Sequence, residues 1–182
     1  MWHTHGMPGA IVSIELLLDD ATESAVRAEW QRLAKAGLSS MAAHPASSNR
    51  PHVTLLVRAT LPGLAFDATL QRRSFAVVLG APLLFGAGDR RVLARSVVPS
   101  HELLDLHASV HSLAGAGDDA PHTAIGAWTP HITLARRMKL TDAATALSLV
   151  GGELRGTARG LRRWDAAQAL VTSLGDFAEA TP

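Results

Sequence analysis

The chain has 182 residues, of which 47% are hydrophobic and 18% are charged, and its formal net charge is +1. This length favours one compact domain, and the hydrophobic content excludes a largely disordered chain. The charge balance excludes a strongly basic nucleic-acid coat, while a small anionic ligand or the end of an RNA stays compatible with it. The absence of cysteine excludes disulfide scaffolds, thiolate zinc sites and cysteine nucleophiles.

The apolar runs are all shorter than the roughly 18 residues that a transmembrane helix requires. The first residues lack the basic and apolar regions of a signal peptide. We therefore expect a cytoplasmic protein without a membrane partner. We also expect a monomer, with residues 1–9 flexible.

Hydrophobic periodicity predicts a mixture of strands and helices. Asp19 or Asp20 is expected to cap the first helix and Gly37 to end it. Ser13 and Glu15 share one parity of the first strand, which is typical of a strand with one exposed face. The elements do not follow a regular βαβ alternation, so the α+β class is favoured. In chain order, the pattern predicts a strand over 10–18, a helix over 21–36, strands over 52–58, 74–79 and 90–98, a helix between Ser100 and Gly115, a strand over 131–137, a helix over 141–150 that Thr141 caps, and two antiparallel strands within 153–174.

One motif occurs twice. Pro51-His52-Val53-Thr54-Leu55 recurs as Pro130-His131-Ile132-Thr133-Leu134, and the separation suits a duplicated half-domain rather than a solenoid repeat. Side chains at i and i+2 of a strand share a face, so each copy presents an imidazole beside a hydroxyl. The aliphatic residues of each copy face the other side, into a core. A pseudo-two-fold arrangement would bring both pairs into one groove.

Two imidazoles and two hydroxyls in one groove suit phosphodiester hydrolysis. A neutral histidine can take a proton from the attacking water or hydroxyl, and a protonated one can give a proton to the departing oxygen. Threonine hydroxyls can donate hydrogen bonds to the non-bridging phosphate oxygens. This chemistry requires no metal, because positioning and charge stabilisation supply most of the catalysis in phosphoryl transfer.

The paired motifs resemble those of the two-histidine (2H) phosphoesterase superfamily, in particular the bacterial RNA 2′,3′-cyclic phosphodiesterase / 2′-5′ RNA ligase family. The strand and helix before the first motif agree with this family, as do Trp128-Thr129-Pro130 before the second motif and Ala135-Arg136 after it. The resemblance implies a bilobal, duplicated α+β fold, with antiparallel sheets lining a central groove and helices packed outside. It places both lobes in a single domain over 1–182, with the motifs at 51–55 and 130–134.

The resemblance also implies an activity without metal or cofactor. The enzyme would open 2′,3′-cyclic phosphates of RNA ends or small nucleotides, or join RNA ends through a 2′-5′ linkage. His52 and His131 would be the catalytic residues, and Thr54 and Thr133 would bind the phosphate.

Three arginines are further candidates for phosphate binding. Arg58 and Arg137 each follow a motif histidine by six residues, so alternation places both on the groove face. Arg136 has the opposite parity, although strand twist or a bulge could turn it inward. A guanidinium suits a phosphate, but a solvated strand end is an equally good interpretation for each.

Other interpretations stay open. The chain could be a non-catalytic module that binds nucleotides or RNA ends in the same groove. A metal-dependent hydrolase is less favoured, since His107 and His111 have helical i, i+4 spacing but no evident third ligand. Two further groups are interpreted as structural rather than as contacts to RNA: Trp30, Trp128 and Trp164 as core residues, and Arg155, Arg159, Arg162 and Arg163 as a solvated face.

Overall fold

The computed structural model describes residues 11–63 and 72–179. Within these ranges it contains seven strands and three α-helices, which confirms the α+β class. None of these helices is long and apolar enough to cross a membrane. The segment predicted to be flexible, 1–9, lies outside the described residues. The elements are β1 Val12–Leu18, α1 Asp20–Lys35, β2 Val53–Arg58, β3 Phe75–Phe85, β4 Arg90–Val97, α2 His101–Ala114, β5 His131–Lys139, α3 Ala143–Leu149, β6 Leu154–Asp165 and β7 Leu170–Asp176.

The strands form one antiparallel sheet with the order β2-β1-β6-β3-β4-β5, and β7 also pairs with β6. This order is symmetric about the β6–β3 pair. Each half contains a strand–helix–strand unit whose two strands pair with each other: β1–α1–β2 in the first half and β4–α2–β5 in the second. The sheets predicted for two lobes are therefore continuous with each other, and the two histidine motifs lie at opposite ends of the strand order.

Local signals explain most element boundaries. The Asp19 carboxylate accepts a hydrogen bond from the Thr22 N–H at 2.9 Å and caps α1, as predicted. Gly37 follows the helix with φ +73°, a conformation that glycine adopts without strain. The apolar face of α1 inserts Val26, Trp30 and Leu33 into the core.

Several predicted boundaries differ from the structure: β5 and β7 each run two residues further than predicted, to Lys139 and Asp176, and the predicted bounds of β3 and α3 are also wrong. β3 continues through Pro82 to Phe85, because a register shift between Leu79 and Pro82 accommodates a residue that has no N–H to donate. α3 begins at Ala143 after a short 3₁₀ turn over Leu140–Asp142, so Thr141 does not cap it.

The sheet curls so that β2 and β5 approach each other. Neither strand has a second strand neighbour among the described residues, and loops cover their outer edges. At β2, Ala120 N–H donates to the Val57 carbonyl at 2.9 Å, and the Thr123 hydroxyl accepts from Val57 N–H at 3.3 Å. At β5, the Ser39 hydroxyl donates to the Arg136 carbonyl. The segment 115–130 thus packs along β2 and takes the place of a further strand.

A buried ion pair connects α1 to the second half of the sheet. Arg95 on β4 and Glu29 on α1 are only 1% and 2% exposed, and Arg95 Nε donates to Glu29 Oε2 at 2.7 Å. Arg95 also donates to the carbonyls of Gly80 at 2.9 Å and Gly151 at 2.7 Å. Every charged group in this cluster therefore has a partner, which burial of charge requires.

Replacing Arg95 with methionine is expected to lower the free energy of unfolding by about 3–5 kcal/mol, because buried Glu29 loses its closest counter-charge and keeps only the longer contact with the exposed Arg32 at 3.4 Å. Urea unfolding followed by circular dichroism measures this loss. Arg155→Met is the matched control, since Arg155 pairs with Glu153 at the exposed surface. Such a surface pair contributes at most about 1 kcal/mol. Equal losses in the two variants would contradict the prediction.

Candidate functional site

A groove of about 320 Å³ lies between the motif strands, and it contains the imidazoles of both motif histidines. Thr54 and Thr133 line the same groove, so all four residues singled out by the repeated motif come together. The remaining lining residues come mainly from neighbouring strands and from the loops before β2 and β5; among them are Ser13, Glu15, Asn49, Val57, His122, Trp128, Arg136, Arg162 and Trp164.

The two histidines are oriented in the same way. Nδ1 of His52 lies 2.7 Å from the carbonyl oxygen of Arg50, and Nδ1 of His131 lies 2.7 Å from that of Thr129. A carbonyl oxygen can only accept, so each Nδ1 carries a hydrogen. Nε2 of each ring is therefore the nitrogen that can take or give a proton in the groove.

Both motif strands contain a β-bulge at the same motif position. Ile14 pairs with Leu56 whereas Glu15 pairs with Thr54, which leaves Leu55 as an extra residue in β2. Leu134 is the corresponding extra residue in β5. A bulge reverses the alternation of side chains beyond it. The third residue after each threonine consequently faces the groove: Val57 in β2 and Arg136 in β5.

The bulges decide the positions of the three candidate arginines. Arg136 lines the groove, as a bulge was expected to allow. The prediction from alternation is wrong for Arg58, which is buried on the opposite face and donates to the carbonyls of Ala114 at 2.9 Å and Gly115 at 2.7 Å. It is also wrong for Arg137, which is exposed outside the groove with a left-handed φ of +56° in a second register shift.

Two indole groups connect the halves of the molecule across the groove. Trp30, on α1 of the first half, donates from Nε1 to the Thr133 carbonyl at 3.1 Å. Trp128, which follows α2 of the second half, donates to the Thr54 carbonyl at 2.9 Å. Trp30 is buried in the core as predicted, and Trp128 packs against the core while also lining the groove. Each half thus holds the motif strand of the other.

A buried acidic group beside His52 was not among the predicted site residues. Glu15 Oε1 lies 3.5 Å from His52 Nε2 and accepts from the Ser13 hydroxyl at 2.7 Å. Arg162 donates from Nε to the other carboxylate oxygen at 2.6 Å. The expected exposed face of β1 is therefore buried beneath the groove, and Arg162 does not belong to a solvated face. The sequence feature that could have indicated this group is the placement of Ser13 and Glu15 on the same face of the first strand.

The surroundings shift the proton affinities of these groups. Burial lowers the pKa of His52, and the Glu15 carboxylate opposes this shift. Burial also lowers the pKa of His131, and the nearby His122 and His52 lower it further. Although burial opposes the effect, His52 and Arg162 hold the pKa of Glu15 below its usual value.

The second histidine pair in the sequence has a structural role. His107 Nε2 contacts the Thr123 carbonyl at 2.9 Å, and its ring stacks on Trp128 with centroids 4.0 Å apart. His111 contacts Asp119 through Nδ1 at 3.1 Å and the Leu55 carbonyl through Nε2 at 3.2 Å. Ranges 11–63 and 72–179 contain no group of three or more His, Asp or Glu side chains that could hold a metal ion. These histidines support Trp128 and β2 instead.

The sequence model of one protein family, the 2′-5′ RNA ligase superfamily, matches residues 22–175. The chain belongs to this superfamily. This confirms the resemblance carried by the two motifs, and the members of the superfamily are phosphoesterases and RNA ligases. No curated protein sequence matches the chain.

Solved structures share the fold at low sequence identity. The Thermus thermophilus protein TT0787 is 19% identical with a TM-score of 0.57, over 92% of this chain and 96% of that one. E. coli LigT in its apo form is 14% identical with a TM-score of 0.55, over 94% and 98%. Kluyveromyces marxianus Usb1 is 12% identical with a TM-score of 0.53, over 91% and 96%. The architecture is therefore common to all three over almost their whole lengths.

Trp128→Phe is expected to lower the free energy of unfolding by about 1–3 kcal/mol, because it leaves the Thr54 carbonyl without its donor. Trp164→Phe is the matched control, since the Trp164 indole donates to no residue that the structure describes and should cost less. Urea unfolding of both variants provides the comparison. A Trp164 variant as unstable as the Trp128 variant would show that loss of ring volume, rather than the hydrogen bond, determines the cost.

Proposed function

We propose that the chain is a metal-independent phosphoesterase that opens 2′,3′-cyclic phosphates of RNA ends or small nucleotides. The observation that supports this most directly is the matched placement of His52 and His131 in one groove, each with Nδ1 held by a backbone carbonyl. In both rings Nε2 is thereby the nitrogen left for proton transfer. A neutral ring on one side of a phosphate and a protonated ring on the other form an acid–base pair.

The remaining groove residues suit a phosphate between the rings. The hydroxyls of Thr54 and Thr133 can donate to its non-bridging oxygens, and Arg136 supplies a positive charge in the groove. In the proposed step, one imidazole removes a proton from water as the water oxygen bonds to phosphorus. The bond to one ribose oxygen breaks, and that oxygen takes a proton from the other imidazole.

Related structures support nucleotides as ligands. E. coli LigT has been solved in complex with ATP and with 3′-AMP, and K. marxianus Usb1 with uridine monophosphate. A 2′-5′ ligation would use the same groups, because the 5′-hydroxyl of a second RNA end would simply replace water as the nucleophile. An open groove between two strands leaves space for either RNA ends or mononucleotides.

The test is turnover of a panel of 2′,3′-cyclic nucleotides and cyclic-phosphate-ended oligonucleotides in EDTA, with identification of the products. His52→Ala and His131→Ala should each lower kcat/KM by about 10²–10⁴-fold, and the double variant should lose little more, because the two groups act as a unit. All variants should fold, since the neighbouring Val53, Leu55, Ile132 and Leu134 form the core contacts.

The pH dependence of kcat/KM in the same assay should be bell-shaped, because one histidine must be neutral and the other protonated. Burial lowers the pKa of both rings, so the maximum should lie below about pH 6.5. Nucleotide binding without turnover of any substrate in the panel would contradict the proposal and favour a non-catalytic binding module. Activity that EDTA abolishes would favour a metal-dependent hydrolase.

Arg136→Gln should weaken binding of a nucleoside 2′- or 3′-monophosphate by about 10-fold or more, because it removes the guanidinium that would donate a charge-assisted hydrogen bond to the phosphate. Arg137→Gln is a matched control from the next position, whose side chain lies outside the groove. Isothermal titration calorimetry measures both affinities. Equal weakening in the two variants would mean that only the net charge of the protein matters.

A further inference from the structure

The two halves of the groove differ at corresponding positions. In the first half Glu15 pairs with Thr54, and in the second half Ala94 pairs with Thr133. Two residues earlier in each strand, Ser13 of β1 corresponds to Val92 of β4. The first half therefore has a carboxylate beside its motif histidine, whereas in the second half the corresponding residue is Ala94 and the residue paired with His131 is the uncharged Ser96.

The Glu15 carboxylate is held in one orientation. Ser13 binds the oxygen that faces His52, and Arg162 binds the other oxygen. Arg162 is itself fixed by donation to the Ser48 carbonyl at 2.9 Å. Glu15 and Arg162 are only 4% and 5% exposed, so water screens these contacts weakly.

This carboxylate distinguishes between the two protonation states of His52. Nδ1 already carries the hydrogen that faces the Arg50 carbonyl, so a neutral ring leaves the lone pair of Nε2 3.5 Å from the negative charge of Glu15 Oε1. Protonation of Nε2 places a positive charge at that distance instead, and Nε2 makes no hydrogen bond to Glu15 that would occupy its N–H. Arg162, 3.3 Å from Nδ1, and Arg136 oppose the positive charge, whereas Glu15 favours it and has the largest effect of these charged neighbours on the pKa of His52.

His131 has different surroundings. Its ring lies 4.6 Å from that of Phe85, centroid to centroid, and it lines a recess of about 210 Å³ together with Val92, His122 and Arg136. In the described part of the chain no carboxylate forms an ion pair with it, and the nearest titratable neighbours include His122 and His52. Burial beside Arg136 and two other imidazoles, without a counter-charge, favours the neutral ring.

We propose that Glu15 is a positioning residue that assigns the two roles, so that His52 gives the proton and His131 takes it. This inference rests on the proposed function. His131 Nε2 accepts a proton from water while the water oxygen bonds to phosphorus, and His52 Nε2 donates its proton to the ribose oxygen as that P–O bond breaks. His131 then releases a proton to solvent and His52 regains one, so no other reactant is needed.

The decisive variant is Glu15→Gln, which keeps the shape and loses the charge. The alkaline limb of the kcat/KM profile should move to lower pH by about one unit or more, and the acidic limb should stay, because only the proton donor is weakened. At pH 7, kcat should fall about 10-fold with no rise in KM, since a negative charge near an anionic substrate has been removed. A rise in KM with an unmoved alkaline limb would indicate a merely structural role and overturn the proposal.

Glu23→Gln is the matched control. Glu23 also forms a carboxylate–arginine pair, with Arg50 Nε at 2.9 Å, but it does not line the groove. Its replacement should leave both limbs of the profile unchanged. If the alkaline limb shifted as far as in the Glu15 variant, the proposal would be overturned, because the loss of any nearby negative charge would then explain the shift.

An NMR titration of the imidazole nitrogens, assigned with the two His→Ala variants, tests the inference without turnover. In the wild type, His52 should titrate at a higher pH than His131. Glu15→Gln should lower the midpoint of His52 by about one unit or more and leave that of His131 in place. An unmoved His52 midpoint overturns the role of Glu15 even if the enzyme is active. The expected shift in a protein that turns over no cyclic phosphate would instead refute the proposed function.

The Glu15→Gln variant loses the counter-charge of buried Arg162 and could fail to fold, which thermal unfolding would reveal. Glu15→Asp retains that charge while withdrawing the carboxylate from His52 by one methylene group. It should shift the His52 midpoint in the same direction by a smaller amount. No shift in a folded Glu15→Asp protein, with the glutamine variant unfolded, would count against the proposal.

Discussion

Two hydrogen bonds that cross between the halves of the molecule hold the candidate site together. The motif strands lie at opposite ends of one sheet, so pairing between neighbouring strands alone does not fix their separation. Trp30 and Trp128 each donate an indole N–H to the backbone carbonyl of the motif threonine in the other half. An indole suits this position because it combines one directional donor with a large apolar surface that anchors it in the core. The distance between the two imidazoles thus depends on core packing.

The backbones of the two halves have the same geometry at the motif strands. The side chains at corresponding positions differ, so the two sides of the site have different chemistry. Matching bulges after Thr54 and Thr133 present the same backbone shape twice. The groove-lining position after each bulge, however, holds valine in one half and arginine in the other. The strands alongside also differ, because the residue paired with the motif threonine is Glu15 in one half and Ala94 in the other. A site whose two halves have the same backbone can in this way place different chemical groups on the two sides of one phosphate.

The part of the structure that could be predicted from sequence is the part determined locally. Alternation over three residues was enough to place His52 beside Thr54, and helix caps such as Asp19 are contained in a single turn. The positions of the bulges were not predictable, because they depend on the strand alongside, and the error at Arg58 and Arg137 follows directly from them. Glu15 meets Arg162 only because β1 pairs with β6, a long-range contact that no local pattern records.

The covered outer edges of β2 and β5 have a consequence for the behaviour of the protein in solution. An uncovered edge strand offers unpaired N–H and carbonyl groups that can pair with another chain. Here the segment 115–130 occupies the edge of β2, and Ser39 and Trp30 bind carbonyls of β5. The loops that shape the groove therefore also cover the edges of two aliphatic-rich strands, which reduces their pairing with strands of other molecules. Substitutions in these loops that change the groove would therefore also change how readily the protein aggregates.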